Sequence, residues 1–196
     1  MSDTYHKSQD LYFNFFSKVK NLTSSLTDVY KTYVETDASG AKSVYRMAPH
    51  FKEVHSIQLN KKIKDELKDS YTGEKIHWYS NSGSSLSSLS SICSRVNYPT
   101  FFYLNYNNYS KTHDCLVMDY VKSIARNCKR QCIVCVDSFG LIDGCITVSE
   151  TQNENNELKK KIVDSCGSRL SNNYNVGSIS SGRYRFVLHL DKISEN

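Results

Sequence analysis

Leu11, Phe15, Val19, Leu22, Leu26, Val29 and Tyr33 recur at intervals of three and four, which draws an apolar seam along one side of a helix. The pattern predicts a long N-terminal amphipathic helix over residues 8–37, stopped by Asp37-Ala-Ser-Gly40. Downstream the period shortens and lengthens in turn. Lys42-Ser-Val-Tyr-Arg-Met-Ala48 alternates as a strand does and ends at Pro49. The segment from Leu59 to Leu67 reads as a short helix with a narrow apolar side, and Lys75-Ile-His-Trp-Tyr79 as a strand. Leu86, Leu89, Ile92, Cys93 and Val96 then mark a helix whose other face is almost all serine. Thr100-Phe-Phe-Tyr-Leu-Asn-Tyr106 follows as an aromatic strand, and Cys115, Leu116, Met118, Tyr120, Val121 and Ile124 make a further helix.

From Gln131 the chain reads as strand, turn, strand and helix. Gln131-Cys-Ile-Val-Cys-Val136 is a short run of β-branched residues and thiols, and Leu141-Ile-Asp-Gly-Cys-Ile-Thr-Val148 follows it. Leu158, Ile162, Val163, Cys166 and Leu170 then fall at helical spacing, with Lys159, Lys160, Lys161 and Asp164 on the opposite face. Gly182-Arg-Tyr-Arg-Phe-Val-Leu-His-Leu190 adds a last strand. The hairpin, with Asp137-Ser-Phe-Gly140 between its strands and Asp143-Gly144 within the second, and its following helix resemble the closing unit of GAF domains and the related PAS sensor modules. Taken together, the elements imply an α+β fold with a mixed, mainly antiparallel sheet flanked by helices, GAF/PAS-like, behind the long N-terminal helix.

Composition narrows the class without naming a reaction. A chain of 196 residues without a Pro/Gly-rich linker suits one domain over 1–196, with the helix at 8–37 and an α+β core at 42–191. The polar start and the lack of a long apolar run predict a cytoplasmic protein with no membrane span. Seven cysteines, several within apolar runs, indicate a reducing compartment. A net charge of +5 is mild; it leaves nucleic acid open as a partner, but the basic residues form no stripe or motif. The N-terminal seam offers a surface for a homodimer through Leu11 to Tyr33.

Several groups carry chemistry on paper. Cys128, Cys132 and Cys135 have the C-x3-C-x2-C spacing that holds iron–sulfur clusters, yet Cys132 and Cys135 sit in a strand-like run, where alternation sends them to opposite faces. Buried structural thiols are the simpler reading. His113-Asp114 resembles the core of HD phosphohydrolases, with His50 or His55 upstream and Asp137 downstream, and this supports a metal-dependent phosphodiesterase or nucleotide hydrolase as an alternative. In Ser80-Asn-Ser-Gly-Ser-Ser-Leu-Ser-Ser88, Gly83, Ser84 and Ser85 open a helix where unpaired N–H groups and hydroxyls converge, an arrangement suited to an anion. The GAF resemblance would place His77, Trp78, Tyr79, Phe102 and Tyr103 around the same pocket, their rings stacking on a base or chromophore.

These features favour a non-enzymatic regulatory or sensor module that binds a small ring-containing or phosphorylated, nucleotide-like ligand. A protein-interaction factor, of the host-interaction or anti-defence kind, is the third reading, through the Tyr- and Asn-rich stretch from Tyr98 to Tyr109. The sequence assigns no catalytic residue, no metal ligand and no cofactor.

Overall fold

A computed structural model describes residues 29–36, 42–58, 65, 75–80, 85–105, 114–137, 157, 159–178 and 183–194. Seven strands lie in one sheet: β1 (Thr32–Thr36), β2 (Glu53–Gln58), β3 (Ile76–Ser80), β4 (Thr100–Asn105), β5 (Cys132–Asp137), β6 (Leu170–Ser178) and β7 (Arg183–Leu190). Their order across the sheet is β3-β2-β1-β4-β5-β7-β6. Neighbours from β3 to β5 run parallel, whereas β7 is antiparallel to β5 and β6 antiparallel to β7.

This corrects the expectation of a mainly antiparallel GAF/PAS-like sheet. A parallel pair cannot be closed by a hairpin and needs a crossover that packs on a sheet face. The crossovers include α1 (Lys42–Met47) between β1 and β2, α2 (Ser85–Arg95) between β3 and β4, and α3 (Asp114–Asn127) between β4 and β5. The result is a doubly wound α/β architecture with an antiparallel pair at one edge.

Two elements change identity. Thr32–Thr36, expected to end the long N-terminal helix, is a central strand buried at every position. Strands flanked by neighbours on both edges and covered on both faces bury every side chain, so Tyr33 belongs to the sheet and not to a helical seam. The rest of the seam, Leu11 to Leu26, lies outside the described residues, as does the strand expected from Leu141 to Val148. Lys42–Met47 is a helix instead of a strand: Val44, Met47 and Ala48 are buried, the 3-1 spacing of a helix face, and Pro49 falls in the first positions of the 3-10 turn that follows. Strands are present near Lys75-Tyr79, Thr100-Tyr106, Gln131-Val136 and Gly182-Leu190, and helices at Ser85–Arg95 and Asp114–Asn127.

The sheet divides the core. On one face, Val34, Ile57, Phe102, Leu104 and Val134 pack with Leu89 and Ile92 of α2 and Val117, Val121 and Ile124 of α3. On the other, Tyr33, Val54, Phe101, Tyr103 and Ile133 pack with Val44 and Met47 of α1 and with Phe51. The serine side of α2 is partly interior: Ser85 and Tyr120 join hydroxyls, and Ser90 Oγ lies 2.7 Å from Ser123 Oγ of α3. Residues 159–166 are helical and stop at Gly167, whose φ of +56° is the left-handed conformation that ends helices. Arg169 then donates to the carbonyls of Ile124, Ala125, Arg130 and Asp191, which ties the end of α3 to the antiparallel edge.

Candidate functional site

In an open α/β sheet, ligands bind beyond the carboxyl ends of the strands, where neighbouring crossovers leave in opposite directions. The order β3-β2-β1-β4-β5 places that switch between β1 and β4. Their last residues, Thr36 and Asn105, therefore bound the crevice, with Gln58 at the end of β2 and Asp137, the register partner of Asn105, at the end of β5.

The ends of β1 and β2 are unusually polar for the middle of a sheet. Glu35, Thr36, Ser56 and Gln58 are each no more than 2% exposed. Tyr33 Oη donates to Glu35 Oε2 at 3.1 Å, and Gln58 Nε2 donates to Ser56 Oγ at 2.6 Å, which leaves the Gln58 carbonyl oxygen as an acceptor at the rim. Thr36 Oγ1 is buried and has no hydrogen-bond partner. A buried hydroxyl without a partner costs the free energy of its desolvation, so its place at the switch point is what a ligand-binding crevice requires.

The residues selected from the sequence are distributed differently. His77, Trp78 and Tyr79 lie on the edge strand β3, and Phe102 and Tyr103 on β4, with β2 and β1 between them. Tyr79 and Phe102 belong to the α2/α3 face, whereas Trp78 and Tyr103 belong to the α1 face, where Tyr45 meets the Trp78 ring edge-on at 6.1 Å. Ser85 is the first residue of α2 and its hydroxyl is engaged by Tyr120. Gly83 and Ser84 lie outside the described residues. Glu35, Thr36 and Gln58 were not selected; the one signal for them was an acidic or amide residue at the end of each of two successive strands.

Among the described residues Cys93, Cys128, Cys132, Cys135 and Cys166 are buried and outside any disulfide, and Cys132 and Cys135 point to opposite faces. Burial pushes the Cys166 thiol up to about 11, while hydrogen bonds from Cys132 and Cys93 lower Cys128 relative to those two neighbours.

No family model and no curated protein matches the sequence. Solved structures do match in fold, and they are methyltransferases. An O-methyltransferase from Bacillus cereus in complex with SAH is 15% identical, with a TM-score of 0.58 over 89% of this chain and 80% of that one. An S-adenosylmethionine-dependent methyltransferase from Clostridium acetobutylicum is 9% identical, with a TM-score of 0.55 over 96% of this chain and 100% of that one. The aminoglycoside resistance methyltransferase NpmB1 is 13% identical, with a TM-score of 0.57 over 84% and 89%.

The fold is thus a Rossmann-like α/β fold, shared with those methyltransferase structures. The GAF/PAS resemblance is overturned, and with it the regulatory sensor reading, because a parallel, switched sheet has no counterpart in those modules. The phosphodiesterase alternative falls with it: His55 is interior to β2, Asp114 opens α3, and the structural neighbours carry a different chemistry. Among the described residues no helix is long and apolar enough to cross a membrane.

Proposed function

We propose that this chain binds S-adenosylmethionine at the β1–β4 switch point and is a methyltransferase. The observation that carries the reading is the buried hydroxyl of Thr36 at the end of β1, without a hydrogen-bond partner among the described residues; the interior carboxyl of Glu35 precedes it on the opposite face of the sheet. Nucleoside-binding sheets of this kind place a side chain about 20 residues beyond the first turn to accept a ribose hydroxyl. Gln58 occupies that place at the end of β2, its amide fixed by Ser56 so that the carbonyl oxygen remains as the acceptor. Thr36 would supply a hydroxyl to the bound nucleoside or its amino-acid arm, and Glu35 an acceptor for a cationic or N–H group. When bound, the cofactor supplies an electrophilic methyl on a sulfonium.

Between β1 and α1 the sequence Asp37-Ala-Ser-Gly-Ala41 has one glycine, where a dinucleotide-binding turn has three. Close backbone approach is correspondingly limited, and the reading leans on the side chains of Glu35, Thr36 and Gln58. Ser80, the register partner of Gln58, ends β3, and the serine-rich segment that follows it in sequence keeps Gly83, Ser84 and Ser85 as candidates for contacts to the same ligand.

Calorimetric titration with S-adenosylmethionine and S-adenosylhomocysteine tests the reading. Saturable binding is expected, weakened about tenfold or more in Gln58→Leu by loss of one ligand hydrogen bond. Absence of binding to the unmodified chain up to ~1 mM ligand would contradict it.

A further inference from the structure

Basic residues that form no motif in the sequence are gathered by the fold at one corner of the molecule. α3 runs from the carboxyl end of β4 to the amino end of β5, and Lys122 and Arg126 share its outer face. Lys129 continues the spacing just past the helix end. Because β7 is antiparallel to β5, its carboxyl end returns to the same place. There the Ile193 N–H donates to the Lys129 carbonyl at 3.0 Å, and Arg169 Nη2 donates to the carbonyls of both Arg130 and Asp191. Arg126, Lys129, Arg130 and Lys192 are exposed at this corner, and Lys122 is partly so.

A helix dipole favours one cation at its carboxyl end, and Arg169 fills that role by donating to the carbonyls of Ile124 and Ala125 at 3.2 and 2.6 Å. The other five side chains have no ion pair or hydrogen bond among the described residues. Two carboxylates are their neighbours in the chain, Asp119 one turn before Lys122 and Asp191 beside Lys192. Positive charge is therefore in excess, and it repels itself until a polyanion neutralises it.

We propose that this corner and the outer face of α3 bind the phosphodiester backbone of a nucleic acid. From Lys122 to Lys129 the row extends about 10 Å along the helix axis, with Arg130 and Lys192 at its end. An exposed row of this length suits a polymer of phosphates better than one small anion. The forked guanidinium groups of Arg126 and Arg130 match the geometry of phosphate oxygens. A membrane surface fits less well, because the one large apolar side chain exposed among the described residues, Val29, precedes β1 and is not at this corner.

The surface is separate from the methyl-donor crevice, which lies at the other end of β5, roughly 20 Å from Arg130. With 14 residues, α3 is about 21 Å long and spans that distance, so a strand lying along the row points toward the crevice. The inference does not depend on methyl transfer.

Fluorescence anisotropy of the full chain with a labelled RNA of about 20 nucleotides, and with DNA of the same sequence, tests the surface. Binding is expected to weaken about a hundredfold between ~50 and ~200 mM salt, as about five phosphate contacts require. Arg126→Gln with Lys129→Gln is expected to bind at least tenfold more weakly at the lower salt, with a shallower salt dependence. Both residues are exposed, so the urea midpoint should not fall. Lys52→Gln with Lys75→Gln removes the same charge beside the amino ends of β2 and β3, and is expected to bind as the unmodified chain does. Binding of either polymer in this way supports the surface, and the tighter one names the polymer. Absence of binding to both at ~50 mM salt, an equal loss in the two double variants, or equally tight binding of poly-glutamate or phosphatidylserine vesicles would overturn the proposal. Binding of S-adenosylhomocysteine is expected to be the same in both double variants, so failure of either site is read separately.

Discussion

Thr36 presents a buried hydroxyl with no hydrogen-bond partner among the described residues, and this allows ligand binding to be separated from stability. In Thr36→Val the shape is kept and the unsatisfied oxygen is removed. The variant is expected to be more stable by about 1 kcal/mol in urea denaturation, because the desolvation cost disappears, and to bind S-adenosylhomocysteine more weakly. A destabilised variant would mean that the hydroxyl already has a partner in the free protein.

His55 gives a pH dependence of known sign. Desolvation by burial, reinforced by the charge of His77 and opposed by Glu53, lowers it from 6.5 to about 4. Between these values the unfolded chain binds the extra proton. Stability is therefore complete above about pH 6.5 and falls as the pH drops toward 4, by at most about 3 kcal/mol from this ring. His189, lowered by burial as well, acts in the same direction, so the difference between His55→Gln and the unmodified chain isolates the contribution. Urea midpoints at pH 7.5 and 5 measure it; an equal loss in both proteins would remove His55 as the cause. His77 and Tyr79 were visible in the sequence as members of a strand, but Glu35, Thr36, Ser56 and Gln58 were not. Polar residues are the ones that periodicity reads as solvent-facing, and here they are interior, in central strands covered on both faces.

At the scale of elements, short segments were ambiguous where two periods fit. Lys42–Met47 fits alternation on paper, and only the need for a crossover between parallel β1 and β2 selects the helix. β6, Leu170–Ser178, was missed because Asn-rich edge strands lack an apolar signature. The helix expected to run through Leu170 continues the periodicity but contains Gly167, and that glycine, at φ +56°, is where it ends. Nothing lies within 4 Å of a Cβ built there, so Gly167→Ala meets backbone strain alone. A loss of about 1 kcal/mol in urea denaturation is expected; no loss would mean that the left-handed turn relaxes.

For the whole molecule, alternation of helices and strands was legible, whereas the direction of strand pairing was not. Buried parallel strands usually announce themselves as continuous apolar runs. β4 and β5 do, as Thr-Phe-Phe-Tyr-Leu-Asn and Cys-Ile-Val-Cys-Val-Asp. β1 and β2 read Thr-Tyr-Val-Glu-Thr and Glu-Val-His-Ser-Ile-Gln, so the centre of the sheet was the part least visible in the sequence. The polar residues that concealed these strands include those that bound the candidate crevice at the carboxyl ends of β1 and β2. The most direct measurement is an NMR titration of isotope-labelled protein with S-adenosylhomocysteine. The largest shift changes are expected at Glu35, Thr36, Gln58, Leu104 and Asn105, around the switch point. No changes at saturating ligand, or changes centred on Glu53 and His77, would contradict the assignment of the crevice.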